Sequence, residues 1–195
     1  MSKKLPNGNN SRFLSHFILA DDGEESQTLS DKLAKILRER FPNDSFIQVE
    51  CPENLDDYVF HITFNPLTYA KTLLIGIGIG GLAAYKVQHN PLYRGVSVFA
   101  ACPPPGVSSQ PSGGPRVIVY GSKYGVYGLP SFLFNKQEDA TSIQLYGLPS
   151  LIHGPKLALG CIAYLVGKYM QGEDLSEAIF TASGNDTIIP AKGLE

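Results

Sequence analysis

Cysteine is scarce. Cys51, Cys102 and Cys161 are the only three in 195 residues, and they lie far apart. No CxxC pair and no zinc-ligand spacing is present, so neither a disulfide framework nor a metal site is expected. The odd, sparse count fits reduced thiols and a cytoplasmic location. An excess of charge of one sign is also missing. Charged residues make up 17%, the formal net charge is −2 and the sequence pI is about 6.1. No global field calls for nucleic acid or an anionic membrane. No apolar run approaches the ~20 residues of a membrane-spanning helix. The opening MSKKLPNGNNSRF has no apolar centre, so no secretory leader is expected. No internal repeat is visible.

What remains is a chain that is 43% hydrophobic, enough to bury a core without disulfides or metals. Residues 1–12 are polar and read as a disordered arm. Residues 13–172 read as one domain, and 173–195 as a tail without firm assignment. Within the domain, strands are expected at 13–20, 45–51, 72–77, 95–101, 116–121 and 141–147. Helices are expected between them. Leu29, Leu33, Ile36, Leu37 and Phe41 fall at helical spacing, with Thr28 and Asp31 as a capping box. Leu55, Tyr58, Val59 and Ile62 suggest a second helix, ending before Pro66. Residues 79–89 form a third, and a short helix is expected within 130–140. PKLALGCIAYLVGKYM (155–170) is apolar nearly all round, as a buried helix is. The stretch 102–115 is rich in proline and glycine and reads as a surface loop.

Strands alternating with helices predict an α/β fold: a mostly parallel sheet of about six strands with helices on both faces. Right-handed crossovers bring the C-terminal strand ends to one edge, where ligands of such sheets bind. The loops expected there are DDGEES, GIGIGG, CPPPG, GSKYG and LPSLIHG.

The segment TLLIGIGIGGLAAYKV (72–87) has two readings. Gly76, Gly78 and Gly81 satisfy GxGxxG after a strand, the dinucleotide fingerprint. LIGIGIGGLAA resembles the opening of FAD-dependent oxidoreductases, which implies FAD or NAD binding. Their next strand ends in an acid that holds the ribose, whereas VSVFAA ends in Ala100 and Ala101. The second reading is a nucleophile elbow, G-x-S-x-G, the strand-to-helix turn of α/β hydrolases. Gly76-Ile77-Gly78-Ile79-Gly80 has that frame with glycine at its centre. The order of elements over roughly 13–171 resembles a minimal α/β hydrolase without a lid domain.

That resemblance implies roles for particular positions. Gly78 stands where the nucleophile would be, Tyr124 where the acid would be, and His153 where the base would be. A triad needs all three side chains, so the implied protein is a scaffold that has lost its serine and its acid. The backbone N–H groups of Ile79 and of Asp22 or Gly23, with Gly80 beside them, are the implied anion nest. Cys102 and Ser122 lie at the same expected edge and are the candidates for a relocated nucleophile. Asp186, in SGNDTIIP, resembles an alternative acid. Asp21, Asp22, Glu24 and Glu25 read as a solvated turn before a helix N-terminus, where acids are favourable. The expected function is binding of a small ligand or a protein, with no cofactor. The alternatives are an esterase-like enzyme with a relocated nucleophile and a FAD or NAD binder.

Overall fold

The computed structural model describes residues 11–20, 24–50, 54, 66–93, 95–103, 114–121, 142–148, 155–175, 180–183 and 187–190. Strands β1 (Ser15–Leu19), β2 (Phe46–Val49), β3 (Thr72–Ile77), β4 (Ser97–Ala101), β5 (Arg116–Gly121) and β6 (Ser142–Leu148) run in the order β2-β1-β3-β4-β5-β6. Every pairing is parallel. This is an α/β fold, with helices α1 (Glu24–Arg40), α2 (Ile79–His89) and α3 (Pro155–Met170). A 3-10 helix, Pro66–Lys71, leads into β3.

The order of strands decides where the helices lie. From β1 the chain moves outward to β2, then returns past β1 to β3 and continues the other way. Crossovers keep one hand, so reversing direction moves the helix to the opposite face. The two cores show this. Ile18, Leu73, Ile75, Ile77, Phe99, Val117 and Val119 pack with α1 and α3. Their neighbours in the strands, Phe17, Leu19, Leu74, Val98, Ala100 and Ile118, pack with α2. The period-2 alternation of side chains along each strand feeds both layers. Accordingly β3 and β4 are buried along their whole length, while the edge strand β2 exposes Ile47 and Gln48.

The expected helix around Leu33 and Leu37 forms, with both residues fully buried, but it begins at Glu24. DDGEES is therefore not a turn throughout. Glu24 and Glu25 are good helix formers whose charge suits the first turn. Thr28 and Asp31 lie inside the helix and make no capping box. Asp31 instead accepts a hydrogen bond from the Gln48 side chain of β2 at 2.6 Å. The tail contains an antiparallel pair, β7 (Phe180–Ser183) with β8 (Thr187–Pro190). The helices expected at 55–62 and within 130–140 lie outside the described residues.

At the chain's start, Arg12 N–H donates to the Met170 carbonyl at 2.9 Å. Its guanidinium lies over the rings of Phe13 and Tyr169. The segment entering β1 is thereby fixed to the end of α3.

Candidate functional site

The reversal of strand order falls between β1 and β3, the point where open parallel sheets hold ligands. The turn after β3 is built by its glycines. A Cβ on Gly76 would collide with the Gly80 carbonyl, and one on Gly80 would collide with the carbonyl oxygen of Leu19 in β1. One on Gly81 would come within 3.2 Å of the Ala100 Cβ in β4. Three absent methyl groups thus let the first turn of α2 sit directly on the ends of three strands.

Gly78 is the N-cap of α2, with φ 58° and ψ −124°. That region is open to glycine and strained for a residue with a side chain. Its N–H continues the ladder to the Ala101 carbonyl at 2.9 Å, and its carbonyl accepts from Gly81 and Leu82. Among the described residues the N–H groups of Ile79 and Gly80 have no partner. Both belong to the first turn, where the helix dipole favours negative charge.

Beside Gly78, at the end of the neighbouring strand, stands Cys102. Its N–H donates to the Val119 carbonyl at 2.6 Å. Its φ of 48° is the only positive value at a non-glycine among the described residues. The residue is 1% exposed and its side chain belongs to the apolar layer shared with α1 and α3. The structure therefore brings together Gly78, Ile79, Gly80 and Cys102. Asp22, Gly23, Ser122, Tyr124, His153 and Asp186 lie outside the described residues.

At the opposite end of the strands are two polar clusters that the sequence pattern did not reveal. In the first, Gln88 donates to the carbonyls of Val96 at 2.8 Å and Pro115 at 3.3 Å. It accepts from Arg116 Nε at 2.7 Å. The buried Arg116 guanidinium also lies 4.2 Å over the Tyr85 ring. This cluster ties the end of α2 to the starts of β4 and β5. In the second, His16 of β1 lies between Ser11 Oγ, 2.9 Å from Nε2, and the Ser45 carbonyl, 3.1 Å from Nδ1. Burial pushes the His16 pKa down, opposed by the Ser45 carbonyl and the charge of Asp44. The same burial raises Asp44. Only one signal pointed here, a histidine inside an apolar strand.

Among the described residues no His, Cys, Asp and Glu group is suited to a metal ion. No helix there is long and apolar enough to cross a membrane. No known protein family, curated protein or solved structure matches the chain.

Proposed function

We propose that the chain is an α/β-hydrolase-like scaffold that binds a small ligand or a protein at the β1/β3 edge without catalysing at its elbow. The observation that carries this is Gly78: a sharp strand-to-helix turn, centred in a G-x-G-x-G frame, with a backbone that would strain any side chain. A nucleophile elbow accepts that strain to expose its serine. With glycine the same turn costs little and exposes only backbone. The N–H groups of Ile79 and Gly80 then offer an anion or a carbonyl oxygen two donors at a helix N-terminus. Strand order supports the location, since the reversal lies beside this turn. Fold likeness alone would not carry a function. The expected outcome is that no turnover of short-chain aryl esters depends on His153. Turnover that disappears in His153→Ala would overturn the proposal.

A second reading rests on the strained backbone of Cys102 at the same edge. If its thiol is the relocated nucleophile, iodoacetamide should alkylate Cys102 in the native protein faster than Cys161. Equal, slow labelling of both would remove this reading, as their burial suggests.

A further inference from the structure

The cluster around His16 has an internal logic that fixes its protons. The Ser45 carbonyl can only accept, so His16 Nδ1 carries the hydrogen and donates it across 3.1 Å. Nε2 is then a bare acceptor in the neutral ring. The 2.9 Å contact with Ser11 Oγ has one sense: the hydroxyl donates to the imidazole. The Ser11 oxygen meanwhile accepts the Phe13 N–H at 3.0 Å, which fixes its direction. His16 is 1% exposed, with the Phe46 ring 5.0 Å away and the Phe13 ring edge-on at 6.3 Å. Ser11 is only half-buried. The base is thus enclosed and the hydroxyl is within reach of solvent.

A hydroxyl on a bare imidazole nitrogen, with the other nitrogen oriented by a third group, is the arrangement of an activated serine. We propose that Ser11 and His16 form a nucleophilic dyad that takes an acyl group from an activated carboxylic ester. The Ser45 carbonyl fills the orienting role; burial holds the resting imidazole neutral, and the Ser45 carbonyl and the Asp44 charge offset part of the cost of the imidazolium. Ser11 Oγ bonds to the acyl carbon while its proton passes to Nε2. The adduct expels the alcohol, which leaves with that proton. Water then attacks the acyl-serine, again giving its proton to Nε2, and Ser11 departs with it as the free hydroxyl. The dyad lies at the start of β1, where His16 pairs with Leu73 and Phe46. Gly78 lies at the other end of β3, so the dyad does not rest on the reading of the elbow.

The test uses the full chain and a fluorophosphonate probe, with the labelled peptide identified by mass spectrometry. Ser11 should be phosphonylated in the native protein and not in Ser11→Ala. His16→Asn keeps an amide N–H for the Ser45 carbonyl but has no Nε2. Labelling should slow at least ~100-fold there, the lower bound of general-base assistance. Circular dichroism establishes that the variant is folded. Should it not fold, the wild-type labelling rate must rise with pH to a plateau as one histidine loses its proton. An unlabelled Ser11 in native protein, an unchanged rate in folded His16→Asn, or a flat pH profile would each overturn the dyad. Label found on Ser122 or Cys102 and not on Ser11 counts against it while favouring an active edge at the elbow.

Discussion

Alanine at Gly76 tests whether the glycines of the turn exist for packing. The added carbon would fall on the Gly80 carbonyl and the Gly81 amide nitrogen. These are backbone atoms of the first turn of α2, so no change of rotamer clears them. Relief requires lifting α2 from the strand ends. That strains the bond from Gly78 N–H to the Ala101 carbonyl and loosens Ala83, Ala84 and Val87, all fully buried. Overpacking typically costs ~1–3 kcal/mol, and a backbone collision places this case at about 3 or above. For a domain of this size each kcal/mol lowers Tm by ~2–4 °C, so a fall of ~6–12 °C is expected. Gly160 in α3 supplies the control, because a Cβ there meets nothing within 4 Å. Gly160→Ala should gain ~0.5–1 kcal/mol from helix propensity alone. Urea and thermal unfolding followed by circular dichroism measure both. A Gly76→Ala stability within ~0.5 kcal/mol of wild type, the ordinary range for a surface change, would refute the packing argument.

The remaining predictions concern the two polar clusters and one ion pair at the end of α3. His16 has a folded pKa below its unfolded value of 6.5, so between the two the unfolded chain holds more protons. Its contribution is complete above about pH 6.5 and is lost as pH falls from there to the folded pKa. Asp44, raised above 3.8, acts oppositely: it stabilises below that value and the gain is lost as pH rises through its folded pKa. Urea unfolding at pH 7.5 and 5.5 should show a drop that is absent in His16→Asn. Gln88→Ala removes the acceptor of Arg116 Nε and a donor to the Val96 carbonyl, and should cost ~2–3 kcal/mol in chemical denaturation. Glu173→Gln breaks the 2.6 Å pair with Lys168, yet Glu173 is 45% exposed. Its effect on Tm should correspond to less than ~1 kcal/mol.

The parts of the fold that were legible are those specified locally. The apolar run of β3 followed by glycines, and the 3.6-residue spacing of Leu29, Leu33 and Leu37, each carry their structure within a dozen residues. The start of α1 was misread because Asp-Asp-Gly has turn chemistry, while the helix propensity of the two following glutamates acts in the opposite sense. Gly78 was legible as a place, since its frame is a local pattern. The clusters at the other end were not. Gln88 and Arg116 lie 28 residues apart, and a glutamine in the last turn of a helix reads as surface. Ser11 sits in a polar stretch that reads as disordered, and its partner is placed by the register of β1. Hydrogen bonds set by tertiary packing leave no periodicity to read.

The position of β1 has a consequence in time. Among the described strands it is the first made, yet it lies inside the sheet between β2 and β3. Phe17, Ile18 and Leu19 need both neighbours before they are covered. The second neighbour ends at Ile77, about 60 residues later, or ~3–12 s at ordinary rates of synthesis. During that interval α1 can cover the Ile18 face, but among the described strands only β2 can pair with β1, and its other edge stays open. Pairings of this range also slow refolding of the complete chain. The same interior placement that puts the reversal of strand order between β1 and β3 leaves the nascent chain with more unpaired strand edge than the finished one.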